Sequence, residues 1–111
     1  MDAVKVFREL ARGNIDIDIY GKYFYNDNFI EACITTAEIK YNFHLVSAMG
    51  VERLIRDNVQ GKNIFDVYEF HNNACNASYI IMSSFVEFKR TRDINVINTL
   101  VLNLTKYRYN I

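Results

Sequence analysis

The stretch that decides the fold class is "KNIFDVYEFHNNACNASYIIMSSFVEFK", residues 62–89. Its two outer parts, 62–70 and 77–89, are rich in β-branched and aromatic residues, the types that are enriched in strands. The polar segment between them, "HNNACN" at 71–76, is typical of a turn because asparagine tolerates turn conformations. The stretch therefore predicts two strands joined by a turn.

A second pair of strands is predicted upstream, in "NIDIDIYGKYFYND" at 14–27. Isoleucines and aspartates alternate with a period of two: Ile15, Asp16, Ile17, Asp18 and Ile19. This period indicates a half-buried strand. The Gly21-Lys22 pair suits a two-residue turn into the following "YFY", so the stretch predicts a β-hairpin.

Helices are predicted on both sides of this hairpin. In "MDAVKVFRELARG", Asp2 is a candidate cap, Val6, Phe7 and Leu10 form one apolar stripe, and Gly13 suits the position after a helix. After the hairpin, apolar residues follow helical spacing from Ile30 through Ala48, with Asn28 as the candidate cap. Gly50 is expected to interrupt this helix, and Gly61 to end a shorter one.

The C-terminal stretch "DINVINTLVLNLTKYRY", 93–109, fits two patterns. Ile97, Leu100 and Leu104 recur at helical spacing after a candidate cap, Asp93, whereas leucines at 100, 102 and 104 also alternate as in a strand. The helix is favoured. Taken together, the elements predict a single α+β domain over 1–111, with helices packed on a mostly antiparallel sheet.

Composition narrows the possible functions. The 13 basic residues balance the 13 acidic ones, which disfavours a broad nucleic-acid footprint. No apolar run approaches the ~18 residues that span a bilayer, and no signal peptide is evident. Cys33 and Cys75 are therefore expected to be free thiols of a cytoplasmic protein. Absence of proline with much asparagine, isoleucine and tyrosine is typical of AT-rich genomes, as in many phages and viruses.

One chemical motif lies at the end of the predicted second strand. Alternation places Glu87 and Lys89 of "FVEFK" on one strand face. Residues 63–89 resemble the core of PD-(D/E)XK nucleases, with Asp66 on the preceding strand. The resemblance implies a Mg²⁺-dependent nuclease in which Asp66 and Glu87 hold the metal and Lys89 orients the attacking water. Without that chemistry, Glu87 and Lys89 are simply the solvated end of a strand.

A zinc site is the other metal-binding possibility. His71 and Cys75 have a spacing that zinc sites use, and Cys33 and His44 bring the set to four. Strong zinc signatures consist of two close pairs, whereas Cys33 and His44 are eleven residues apart on a predicted buried helix. No metal or other cofactor is therefore expected, except Mg²⁺ under the nuclease alternative.

The favoured function is a protein–protein interaction module rather than an enzyme. An aromatic segment crowds the predicted hairpin, and exposed aromatic residues are frequent anchors at interfaces. The predicted contact residues are Asp16, Asp18, Tyr20, Tyr23 and Tyr25. The expected partner is a host protein, if the source is viral, or a second copy. A homodimer is predicted, with 15–25 or 94–109 at its interface.

Overall fold

All regular structure in the described part of the chain is helical. The computed structural model describes residues 2–57, 63–106 and 108, and these residues contain no strand. The elements are α1 (Ala3–Ala11), α2 (Ile17–Tyr20), a 3-10 helix (Gly21–Tyr25), α3 (Asp27–Arg56), α4 (Ile64–Thr91) and α5 (Ile94–Leu104). The predicted α+β fold with its antiparallel sheet is therefore wrong. The chain forms a helical bundle.

The stretch that was expected to form two strands lies almost entirely in α4. Apart from Cys75, its buried residues recur at helical spacing: Ala74, Ala77, Ser78, Ile81, Phe85 and Phe88. Placing a β-branched or aromatic residue in a helix costs below about 0.7 kcal/mol, whereas burying a large apolar side chain contributes about 1.5–3 kcal/mol. Burial on one helical face outweighs strand propensity, and the polar segment continues the helix with Asn72 and Asn76 exposed.

The predicted β-hairpin is also absent, since its residues form α2 and the 3-10 helix. The Asp16 carboxylate accepts a hydrogen bond from the Asp18 backbone N–H at 2.9 Å and so begins α2. The alternating isoleucines do not share a face: Ile15 is buried, Ile17 is half-buried and Ile19 is exposed. A period of two over only five residues was too short to distinguish a strand from a helical turn.

The N-terminal helix is confirmed in its span and its ends. Asp2 caps α1 by accepting a hydrogen bond from the Val4 N–H at 2.9 Å. At the other end Gly13 has φ 71, and its N–H donates to the Leu10 carbonyl, while the Asn14 N–H donates to Glu9. This is the Schellman arrangement, which needs a left-handed residue after the helix.

Gly13 also lies against the other end of the bundle. A Cβ placed on it would come within 3.1 Å of the Thr105 Cα, closer than the backbone there accommodates. The glycine therefore serves two purposes, because it ends α1 and lets the end of α1 approach the end of α5.

The remaining two helices follow the predicted spacing with adjusted ends. Asn26, rather than the predicted Asn28, caps α3 by accepting from the Phe29 N–H at 3.1 Å. The helix passes through Gly50 without a break, so the predicted interruption there is wrong. The predicted end at Gly61 lies outside the described residues. Asp93 caps α5, which confirms the helical alternative for residues 94–104.

The two long helices, α3 and α4, run antiparallel, and the other described elements surround one end of this pair. That end, the base, consists of α1, residues 17–25, α5, and residues 27–37 of α3 with 74–91 of α4. Its core includes the large, fully buried side chains of Phe7, Phe24, Phe85 and Phe88. Among the described residues, the core takes no α3 member after Ala37 and no α4 member before Ala74.

Beyond this core the two helices continue as a projecting arm, residues 38–57 of α3 and 64–73 of α4. At 1.5 Å per residue, the α3 part of the arm is about 30 Å long. The whole molecule accordingly measures 49 × 21 × 21 Å. The arm is the feature that positions the surface described next.

Candidate interaction surface

The structure does not bring the predicted nuclease residues together. Asp66 lies in the first turn of α4 and Glu87 near its end, which separates them by about 30 Å along the helix axis. Glu87 accepts a hydrogen bond from the Arg90 guanidinium at 2.6 Å, whereas Lys89 forms an ion pair with Glu31 of α3. The shared strand face on which the resemblance depended does not exist, so the two side chains point to different sides of α4.

The predicted zinc ligands are only partly brought together. His44 and His71 meet between the two helices of the arm, with their Nδ1 atoms 2.9 Å apart. Cys33 and Cys75 are free and buried, and Cys75 lies within α4 rather than in the expected turn. Across the described residues there is no group of three or more histidine, cysteine or acidic side chains placed to hold a metal ion.

A shallow groove of about 450 Å³ lies between α4 and α5 at the base. Its lining combines Ser83, Glu87, Asp93, Asn95 and Thr99 with the apolar Leu100. The groove is open to solvent, and both of its charged groups are acidic. It offers no cationic group for an anion and no nucleophile with an adjacent base, so we assign it no chemistry.

The predicted partner-binding residues lie on the segment 16–25 at the base. Asp16 and Asp18 are exposed, and Asp16 is engaged as the cap of α2. Tyr20 is half-buried and packs against the core. Tyr23 and Tyr25 are exposed, with Lys22 over the ring of Tyr23 and the ring of Tyr25 edge-on to Phe88. The segment is thus partly an exposed aromatic surface and partly a cover for the base.

A larger apolar surface, which the sequence analysis missed, runs along the arm. The surface lies on α3, and each of its large apolar side chains is 45–69% exposed to solvent. We define the outer stripe as Ile39, Phe43, Val46, Gly50 and Leu54, with Met49 beside it. Soluble monomers rarely expose a contiguous apolar patch of this kind without a function for it.

Most of the outer stripe faces away from α4, whereas the ring of Phe43 at its edge lies 6.1 Å from the ring of His71 on α4. Cys33, His44 and Ala48 are buried and mark the side of α3 that packs on α4. At 3.6 residues per turn, Val46 and Gly50 lie about half a turn from these residues. The helix α3 is therefore apolar on two opposite sides, and only one of the two sides is covered by the described chain.

Few charges interrupt this surface. From Ile39 to Val51 the sequence "IKYNFHLVSAMGV" contains one lysine or acidic residue, Lys40, and that residue is half-buried on the flank of the stripe. The next charges along the helix are Glu38 on one side and Glu52 and Arg53 on the other. An uncharged centre with charges at its edge is the usual composition of a protein interface.

A histidine pair, His44 and His71, forms a polar contact on the opposite side of α3, at the centre of the arm. Because the two Nδ1 atoms are in hydrogen-bonding distance, one ring donates and the other accepts, so at least one ring is uncharged. The pKa of His44 is lowered, chiefly by burial and to a smaller extent by the neighbouring His71 and Lys40. Rings of Phe43 and Phe70 lie edge-on to His44.

The sequence does contain a signal for the outer stripe. Residues 39, 43, 46 and 50 follow the alternating spacing of four and three that marks a helix–helix contact. The same helix carries its first stripe, including Cys33, Ala37, His44 and Ala48, toward α4. One apolar face per helix is the usual expectation. Because the first stripe already provides that face of α3, the outer stripe is not recognised as a second one.

Comparison with protein-family models, with curated proteins and with solved structures finds no match to this chain. Within the part of the chain that the structure describes, no helix combines the length and the apolar character needed to cross a bilayer. Function is therefore inferred from the geometry of the chain itself.

Proposed function

We propose that the protein is a non-enzymatic interaction module that binds a protein partner through the outer stripe of its arm. The observation that supports this proposal is a row of large apolar side chains between Ile39 and Leu54 that the described residues leave largely exposed. Exposing such a row to water is unfavourable, and a docking helix would remove it from water.

The form of the arm supports the same proposal. A projecting pair of helices presents its outer face without obstruction by the base. Apolar anchors spaced at i, i+4 and i+7, here Ile39, Phe43 and Val46, are the pattern by which one helix packs on another. The partner is accordingly expected to contribute a helix.

The buried thiols are the basis for proposing a reducing, cytoplasmic setting. Cys33 and Cys75 are both free, and burial raises the pKa of each. Protonated, buried thiols behave as small apolar side chains that need no oxidising compartment.

The aromatic segment with Asp16, Asp18, Tyr20, Tyr23 and Tyr25 is a second proposed contact surface for the same function. Its exposed part is smaller, because Tyr20 packs against the core and Tyr25 lies against Phe88. The outer stripe is the surface we expect to carry most of the binding.

A photo-crosslinking amino acid at position 46 tests the proposal in cells that make the protein. The matched control carries the crosslinker at position 102 on α5, because Val46 and Leu102 are 69% and 70% exposed. We expect a discrete crosslinked product from position 46, absent at position 102 and lost when Phe43→Asp is added. No product from position 46, or equal products from both positions, would overturn the proposal.

A further inference from the structure

We infer that the partner of the outer stripe is a second copy of this chain, packed antiparallel across a twofold axis so that Phe43 of each copy covers Gly50 of the other. The arrangement places the two α3 helices against each other at the centre, with one α4 helix on each outer side. It rests on the proposed function, and it goes further by naming both the occupant and the register of the interface.

The first observation is the size of the apolar surface. A side chain of this kind with half its surface exposed contributes on the order of 100 Å², so the stripe with Met49 presents on the order of 500 Å² per copy. Stable interfaces bury about 800 Å² per partner, of which an apolar centre and a polar rim each form part. The outer stripe is therefore of the right size to be the centre of a dimer interface.

The second observation is Gly50. It lies in the interior of α3, where glycine weakens a helix relative to alanine. No atom of the described chain lies within 4 Å of a Cβ built on it, and its φ is not in the left-handed region. None of the described residues of a single copy therefore accounts for a glycine here, whereas close approach of an external group does.

The third observation is the symmetry of the stripe about its own centre. Phe43 and Gly50 are seven residues apart on one helix side, and the midpoint lies between Val46 and Ser47. A twofold axis through that midpoint places the large Phe43 ring opposite the partner subunit's Gly50. It also places Ile39 opposite the partner subunit's Leu54. A surface that pairs its own protrusion with its own gap is self-complementary, as twofold interfaces require.

Charges at the rim agree with this register. Glu38 and Arg53 are exposed, lie on the same flank of the stripe and have opposite signs. The same axis brings Glu38 within one helical turn of the partner subunit's Arg53. The outer side of α3 also remains exposed at Ala32 and Thr35, so the base does not obstruct the end of the second arm.

The mass of the purified chain in solution tests whether a second copy binds. At micromolar concentration, light scattering should give twice 13.1 kDa. Val46→Asp should raise the Kd at least about 100-fold, because a carboxylate would be buried at the axis of both copies. Leu102→Asp, on α5, should leave the dimer intact, and circular dichroism should show that both variants are folded.

Two further variants test the register. Gly50→Leu should weaken the dimer about 10-fold or more by filling the gap for Phe43. Mixing Ile39→Cys with Leu54→Cys should give a disulfide between copies under mild oxidation, which neither variant gives alone. Crosslinks in Ile39→Cys alone would indicate parallel helices and would overturn the antiparallel register.

The possible outcomes separate this inference from the proposed function. A mass of 13.1 kDa for the wild-type chain, or a dimer that Tyr23→Asp or Leu102→Asp splits while Val46→Asp does not, overturns self-docking through the stripe. If the chain is then a monomer but position 46 still crosslinks to a protein of another mass, the proposed function stands and only its occupant changes.

Discussion

The base and the arm of this molecule are built from the same two helices, yet they bury different kinds of residue. In the base, α3 and α4 enclose large side chains, including Phe24, Phe85 and Phe88. In the arm, the buried residue of α3 that is apolar is Ala48, and the buried polar one is His44. The same helix pair is thus a packed core at one end and a thinly packed hairpin at the other.

This difference determines where the stability of the fold resides. Each large side chain buried in the base contributes about 1.5–3 kcal/mol, whereas an alanine methyl contributes about 0.8 kcal/mol. The arm therefore depends on continuity with the base and on any surface that covers its outer stripe. Regions with few buried apolar contacts are also the ones that open locally and that binding stabilises.

The largest contrast is expected between two phenylalanines. Phe85→Ala should lower the free energy of unfolding by about 3–5 kcal/mol, because the ring is fully buried and lies edge-on to Phe24. Phe43→Ala, on the outer stripe, should cost below about 1 kcal/mol. Denaturant unfolding of both variants in the Val46→Asp background, where association does not contribute, measures the contrast. Equal costs would mean that the arm has a core of its own.

Thiol labelling compares the interior of the base with its border toward the arm, through Cys33 and Cys75. Cys33 is buried in the base, where burial raises its pKa to about 12. Cys75 is 7% exposed, lies outside the main core and is near the start of the arm. In the folded chain Cys75 should react at least about 10-fold faster than Cys33, because thiolate and access both favour it. Faster labelling of Cys33 would contradict the placement of Cys33 in the main core and of Cys75 outside it.

Acid should destabilise the arm more than the base. The pKa of His44 is lowered in the folded chain, so the unfolded chain, with its histidine pKa near 6.5, binds more protons at mildly acidic pH. This contribution to stability is fully present above pH 6.5 and is lost as the pH falls through and below that value. Between pH 7.5 and 5.5 ordinary carboxyl groups contribute little, because their pKa values lie at about 4, whereas the ordinary pKa of histidine lies within this window.

Unfolding of the Val46→Asp chain at pH 7.5 and 5.5 measures this loss, which we expect to be smaller than the cost of Phe85→Ala. In His44→Asn the difference between the two pH values should shrink. Hydrogen exchange should show the acid-induced opening in residues 38–57 rather than in α5. An unchanged pH dependence in His44→Asn would rule out this histidine as its cause.

The smallest expected effect is a gain. In the monomeric Val46→Asp background, Gly50→Ala should raise the free energy of unfolding by about 0.5–1 kcal/mol, because its methyl group would meet open space on a helix. In the wild-type chain the same substitution should weaken the dimer. A loss of stability in the monomeric background would show that Gly50 packs within the chain after all.

The sequence predicted those helices whose ends carry local signals. Asp2, Gly13 and Asp93 act through hydrogen bonds to backbone groups within a few residues, so their effect is visible in a short window. The helix α4 was missed because its aromatic and β-branched residues favour strands in a local reading of the sequence. The helical conformation is favoured only once packing against α3 is included. That packing joins residues far apart in the chain.

The candidate surface was hidden for a related reason. A residue such as Val46 looks like a core residue in the sequence, and only the structure shows that the opposite side of α3 packs on α4. The reverse holds for Tyr20 in the aromatic segment. It was predicted to contact a partner, whereas in the structure it packs against the core. Local sequence gives the polarity of a residue, whereas its exposure depends on which neighbours the fold brings to it.

The close contact between Gly13 and Thr105 has a consequence for how the chain folds during its synthesis. The apolar stripe of α1, with Val6, Phe7 and Leu10, completes its burial in a base to which α5 also contributes. The ribosome adds α5 about 90 residues after Gly13, which at roughly 5–20 residues per second takes roughly 5–20 s. During that interval the first helix is made but lacks its last neighbour. The N-terminal segment of the nascent chain is therefore accessible to chaperones until α5 has been made and packs in the base.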